Sequence, residues 1–345
     1  MRERDTYYDY IRALAALLVL FGHKGKMPGG YIGISIFFCL SGFLITRVLM
    51  GLPDLSLANL AKFIFRRWMR IFPLYLAAIM ATYFLMREFR PDLFGTFQAF
   101  LPGMLTFTSY PSNVGFSAAV FWTLHAEFWF YVIFPFVFAV CCRRNLMMPV
   151  AVALIAASMV AKASLGHVVA SAFTPWLTLV YLDQLMYGCI CALLISRRSG
   201  LIATFRSKWW FWGALTINIL VGKFAHYKEF DALWYFETSG AALLCAVAIL
   251  HHAASPSDPK NNFIAWTGRI SFSIYLVHGI VLDYFPADKI PEKLDTPSFV
   301  FVVLALSALT ERFIERPGIR LSKALAKFRP QAAAFRSGDS QRSIV

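Results

Sequence analysis

The feature that most constrains this chain is a series of apolar runs, each long enough to cross a lipid bilayer. They fall at about 8–23, 31–50, 70–86, 120–141, 147–165, 173–195, 209–224, 234–253, 270–286 and 297–314. A spanning helix needs about 20 predominantly apolar residues. With no water in the hydrocarbon to satisfy backbone N–H and C=O groups, runs of this length must be helical. The expectation is an all-α, polytopic transmembrane helical bundle of about ten helices. An eleventh run, near 97–109, is short and carries Pro102 and Gly103, so it reads as an interfacial or re-entrant segment. The composition agrees: 59% of residues are hydrophobic and 15% are charged, against about 25% charged in soluble domains. A water-soluble globule and a disordered chain are both excluded. The run Ile11–Phe21 has acidic and basic neighbours (Asp5, Asp9, Arg12) and no small-residue cleavage site, so it reads as a retained first helix rather than a signal peptide.

The formal net charge of +14 suggests nucleic acid until the cations are placed. Loops on the cytoplasmic side of a membrane protein carry excess Lys and Arg. With the N-terminus inside and 97–109 not spanning, most of the 33 basic residues fall in inside segments, including Arg66, Arg67, Arg70, Arg143, Arg144 and the C-terminal tail. The outside segments hold a minority, among them Lys24, Lys162, Lys223 and Lys293. Full spanning by 97–109 would invert every later loop. The expected topology is therefore N-in and C-in, and the positive charge reflects topology rather than nucleic-acid binding. The long polar stretches are a 51–69 loop, a 254–269 loop and the tail, which suggests a membrane domain over 1–320 and a basic, disordered cytoplasmic tail over 321–345. No internal repeat of the kind common in transporters is visible. The six cysteines (Cys39, Cys141, Cys142, Cys189, Cys191, Cys245) lie in or beside apolar runs without metal-ligand spacing, so they read as reduced packing residues and no metal is expected.

Ionisable side chains inside a membrane are costly, and each is a candidate functional residue. Arg12 and His23 in the first run are 11 residues apart, close to a whole number of turns, so they share a helix face about 16 Å apart. Asp9 is placed to pair with Arg12. The plainer reading of the two is a helix anchor and an interfacial His. Small residues recur in the second run (Gly30, Gly33, Ser35, Ser41, Gly42), which helix packing alone explains. Arg67 and Arg70 lie at i,i+3 on one face; paired guanidiniums suit a phosphate, although a positive-inside anchor accounts for them too. Glu127, in an otherwise aromatic run with His125 two residues before it, is hard to explain as packing. His125 points to another face. Ser271, Tyr275 and His278 fall at i, i+4 and i+7 on one polar stripe. The Glu311–Arg316 stretch alternates acid and base, as a structural ion network does.

Together these features resemble the bacterial acyltransferase-3 family of integral membrane O-acyltransferases, over about residues 5–320. The resemblance rests on Arg12-x10-His23, the run from Gly33 through Ser41-Gly42-Phe43, Arg67-x-x-Arg70 with Pro73 and Tyr75, and Trp122-x-Leu124-x-x-Glu127. Ser271-x-Ser273-x-Tyr275-Leu276-x-His278 and Glu315-x-Pro317 also fit. It implies transfer of an acyl group, by default acetyl, from cytoplasmic acyl-CoA to a hydroxyl of an extracytoplasmic sugar or glycan, in the bacterial inner membrane. Some relatives carry an extracytoplasmic hydrolase-like domain, and none is expected here.

On this reading Arg67 and Arg70 bind the donor phosphates and the pantetheine arm passes Arg12. His23 acts as general base, or as nucleophile through an acyl-His. Glu127 orients His23 or stabilises its cation. Ser35, Tyr275 and His278 line the acceptor path. The rival class is a polytopic secondary transporter of a small polar or anionic solute, which would share the buried Arg, His and Glu.

Overall fold

The structure is a computed structural model that describes residues 5–25, 30–165, 175–227, 231–257 and 259–325. Among these it is helical, with no strand. The helices are α1 (Thr6–His23), α2 (Gly30–Met50), α3 (Leu57–Phe89), α4 (Pro91–Leu105), α5 (Phe116–Ala119), α6 (Trp122–Arg143), α7 (Met147–Leu165) and α8 (Pro175–Val180). They continue as α9 (Leu182–Ser196), α10 (Trp209–Tyr227), α11 (Asp231–Ala254), α12 (Phe263–Arg269), α13 (Ser271–Tyr284), α14 (Glu292–Thr310) and α15 (Arg316–Leu325).

Among the described residues, six helical stretches are long and apolar enough to span a membrane, or up to eight if two bent pairs each count as one span. The expected number was ten. Two differences have clear causes. The run 173–195 is interrupted between α8 and α9, and α9 is followed by a bend of 110°. The run 270–286 is α13, which meets α12 at 76°. Apolar content reports burial, in lipid or in protein, and cannot see such breaks. The supposed 51–69 loop is mostly the first half of the 33-residue α3, capped by the Ser56 side chain accepting from Asn59 N–H. Leu321–Leu325 of the supposed tail belong to α15; residues 326–345 lie outside the described residues.

The short run near 97–109 is mostly in the 15-residue α4, about 22 Å long and so short of the bilayer core. It is tied inward: Tyr75 Oη donates to Met104 O at 3.0 Å, and Trp129 Nε1 donates to Phe107 O at 2.8 Å. His125 meets the same Tyr75 hydroxyl at 2.8 Å, among Phe107 and Tyr110, and so serves this packing.

Helices α2 and α9 lie backbone to backbone. A Cβ on Gly188 would sit 1.9 Å from Cys39 O, so only glycine permits this approach. Its effect is to hold the α2 wall in place; the opposite side of that wall faces the cavity described below. The six cysteines are unbridged.

Lys162, expected in an outside loop, is buried in α7. Its Nζ lies 2.7 Å from Asp183 Oδ1 of α9, both side chains being fully buried. Ser158 donates to Asp183 Oδ1 at 3.0 Å, and Ser239 of α11 donates to Oδ2 at 2.6 Å. Three helices are thereby joined by one carboxylate. Removing one partner of a buried pair strands the other charge. Lys162→Met should lower unfolding stability by about 3–5 kcal/mol, and the double variant Lys162→Met/Asp183→Leu should recover most of it. Thermal unfolding of the detergent-solubilised protein measures both.

Candidate active site

A cavity of about 100 Å³ lies among α1, α2, α3, α6 and α13. Its cationic wall is Arg12, Arg67 and Arg70; its other polar groups include Ser41, Thr123, Glu127, Tyr131, Ser271 and Tyr275. The α2 contribution is one side of the helix: Ile34, Phe37, Phe38, Ser41 and Leu44, spaced i, i+3, i+4, i+7, i+10, with Leu40 at the edge of that stripe.

The arginines are held differently. Arg12 Nη1 bonds Asp9 Oδ1 at 2.5 Å, the i,i+3 pair the sequence anticipated. Arg67 places its guanidinium 5.6 Å from the ring centres of both Phe63 and Tyr131. Two aromatic faces stabilise and orient a cation that is withdrawn from water. Arg66, the neighbour of Arg67, is exposed and is not part of the cavity wall. Density of arginine in the sequence could not tell these apart; helix phase does.

Glu127 accepts a short hydrogen bond from the Ser41 hydroxyl and faces Tyr131, with Arg67 and Arg70 in its electrostatic surroundings. The direct hydrogen-bond partner of His23 is His278 instead. Glu127 therefore lies at the cationic end of the cavity, near Arg67 and Arg70. The expectation that it orients His23 assumed a spatial meeting that spacing along a chain cannot supply.

Tyr275 closes the cavity toward α5 and the start of α6. Its hydroxyl donates to Val120 O at 2.9 Å and accepts from Thr123 Oγ1 at 2.8 Å, which locks the ring. One turn further along α13 is His278, its ring centre 5.6 Å from that of Tyr275. His278 Nδ1 lies 3.2 Å from Ile274 O, and its Nε2 lies 2.9 Å from His23 Nδ1. The two imidazoles are coplanar to 1°.

These contacts assign the protons. A carbonyl only accepts, so Nδ1 of neutral His278 carries the hydrogen and its Nε2 presents a lone pair. His23 must then donate from Nδ1, which leaves His23 Nε2 as an unprotonated base. His278 is fully buried, whereas His23 is only half-buried at the end of α1. The arrangement holds one tautomer of a partly open imidazole by a chain of two hydrogen bonds.

The structure thus brings Arg12, Arg67, Arg70, Glu127 and Tyr275 to one cavity, with His278 and His23 behind its Tyr275 wall. Ser35 is not part of that wall. Its hydroxyl donates to Tyr31 O one turn back at 3.1 Å, and it sits one residue, about 100°, off the cavity stripe. Ser41, on the stripe, is the α2 serine of the site. Sequence reasoning missed it, together with Thr123 and Tyr131; the phase of Ser41 relative to Phe37 and Phe38 was the available signal. Ser273, the other serine of the α13 motif, donates to Glu315 at 3.0 Å and ties α13 to the last helical stretch, while Glu311 pairs locally with Arg316 at 2.5 Å. Among the described residues, no three His, Cys, Asp or Glu side chains group to hold a metal ion.

Comparison with known proteins finds O-acetyltransferase relatives over most of the chain. The peptidoglycan O-acetyltransferase OatA of Listeria monocytogenes is 26% identical over 90% of this chain and 55% of its own length. The O-acetyltransferase OatA of Staphylococcus aureus strain NCTC 8325 is 23% identical over 90% of this chain and 56% of its own. The chain spans about half the length of these relatives. No solved structure matches it. An acyltransferase domain is matched over residues 5–310, which takes in α1 through α14 with both the cationic cavity and the imidazole pair, and the chain therefore belongs to the acyltransferase-3 family.

Proposed function

We propose that this protein is a membrane O-acyltransferase that moves an acyl group, acetyl by default, from cytoplasmic acyl-CoA to a hydroxyl of an extracytoplasmic glycan. The observation that carries the reading is the chain Ile274 O, His278, His23, which frees His23 Nε2 on the far side of Tyr275 from three arginines. The phosphates of the donor meet Arg67 and Arg70 at the basic mouth of the cavity, and the pantetheine arm runs past Arg12 toward Tyr275. His23 Nε2 takes the proton of the acceptor hydroxyl as its oxygen attacks the thioester carbonyl. The C–S bond then breaks, and the departing thiolate takes the proton from the imidazolium. As His23 becomes cationic, its bond to His278 becomes charge-assisted and strengthens. That gain is largest where charge develops, which is what catalysis requires. The glycan acceptor is supported by the relatives' names and by the polar loop residues Ser112 and Asn113, exposed ahead of α5, whose Phe116 packs on His23. The site lies in the bacterial inner membrane with both chain termini cytoplasmic. The residues fit acyl-CoA as a diffusible donor and require no resident metal or cofactor.

Three outcomes follow. His23→Ala should lower acylation by about 10²–10⁴-fold in inserted, folded protein, read as loss of the acyl mass gain on envelope glycans; full wild-type product refutes the mechanism. His278→Leu should reduce kcat by about tenfold or more, because the His23 tautomer is no longer held. His278→Gln, whose Oε1 still accepts from His23 Nδ1, should retain more activity than His278→Leu in the same steady-state assay. Arg67→Glu should raise the acyl-CoA concentration needed for half-maximal rate by about tenfold or more, and an unchanged requirement would place the nucleotide elsewhere.

A further inference from the structure

The four-residue α5 carries an aromatic side chain to the open side of His23. Phe116 is 44% exposed, and its ring centre lies 5.4 Å from that of His23, tilted by 50°.

The position is built rather than incidental. Asp283 of α13 accepts from the backbone N–H of Phe116 at 3.0 Å and of Ser117 at 2.7 Å. A carboxylate gripping two successive amides makes strong, charge-assisted bonds. Gly115, immediately before, has φ of +118°, which a residue with a side chain rarely adopts. It also leaves room for that carboxylate, since a Cβ there would come within 2.7 Å of Asp283 Oδ2. Asp283 and His278 stand on the same helix, so one element fixes both the imidazole pair and the ring beside it. The loop leading into α5 is polar, with Ser112 and Asn113 exposed, so the open face of Phe116 adjoins a polar surface.

We propose that Phe116 is the stacking platform for a pyranose ring of the acceptor, and so a specificity-determining residue; this rests on the glycan reading above. The C–H groups on one face of a pyranose carry partial positive charge and match the negative face of an aromatic ring. Phe116 and His23 are in ring contact, 5.4 Å between centres, so a pyranose seated on the exposed part of Phe116 lies beside the imidazole, within reach of an edge hydroxyl. The contact is non-polar and tolerant of sugar identity; it selects for a ring with an unencumbered face and against linear alcohols.

The test is saturation-transfer difference NMR on the full chain in nanodiscs, with chitotetraose and maltotetraose as probes and no acyl donor. On irradiation of the protein aromatic envelope, the ring C–H protons of at least one sugar should saturate. Phe116→Ala should reduce that saturation about tenfold, and Phe116→Tyr, which keeps the ring, should stay near wild type. No transfer to either sugar in the wild type, equal transfer in Phe116→Ala, or loss in Phe116→Tyr as large as in Phe116→Ala would each overturn the proposal. Because no donor is present, a wild type that binds sugar but transfers no acyl group defeats the enzyme reading and leaves the platform standing. In the converse case, acylation with no ring contact defeats the platform alone. With donor supplied, Phe116→Ala should raise the acceptor KM about tenfold while changing kcat much less, and a fall confined to kcat would also overturn the assignment.

Discussion

Inside a bundle of this apolarity, a polar side chain has little water to turn to, and an unmet one costs several kcal/mol. A few stay unmet, Gln184 among them, but the ionisable groups of the core and the site are met by polar partners. This constraint draws Lys162, Asp183, Ser158 and Ser239 into one knot across α7, α9 and α11. It sets Glu127 against Ser41, and Tyr275 between Val120 and Thr123. At the end of α1 it leaves one group with a lone pair to spare, because His278 meets His23 at Nδ1 alone.

The two halves of the site differ in kind. The cavity end is cationic and aromatic, with the Arg67 guanidinium laid against rings and one carboxylate nearby. That suits a large anion whose charge must be accepted without being chemically altered. The imidazole end is nearly uncharged and built of directed hydrogen bonds, which suits proton transfer. Tyr275 separates them and belongs to both, lining the cavity and packing beside His278. Helix α13 therefore sets the distance between the arginine-lined cavity and the imidazole pair. Its rigidity is reinforced by Ser273 bonded to Glu315 and by Asp283 gripping the turn before α6.

Much of this was legible in the chain. Arg12 and His23 share a face because 11 residues make nearly whole turns, and Ser271, Tyr275 and His278 form a stripe for the same reason. The partnership of Arg12 with Asp9 is local, and so was readable. What failed were statements about things far apart in sequence or about continuity of a helix. Whether Glu127 orients His23 or stabilises its cation cannot be read across the 104 residues between them; the hydrogen-bond partner the fold supplies to Glu127 is Ser41. Lys162 was read as a loop cation because a lone Lys in an apolar run is usually interfacial; its partner Asp183 was invisible until α9 folded back on α7. The breaks beside α9 and α13 left no mark on hydropathy.

The sequence by itself determined that the chain is a helical bundle of membrane-spanning length and which residues share a face of a helix, since both follow from periodicity and from the exclusion of water. Only the tertiary structure decided who meets whom: Glu127 with the arginines, His23 with His278, and which imidazole nitrogen is left bare. Those pairings depend on contacts between helices from about 60 to 255 residues apart, and on a proton position set by one backbone carbonyl.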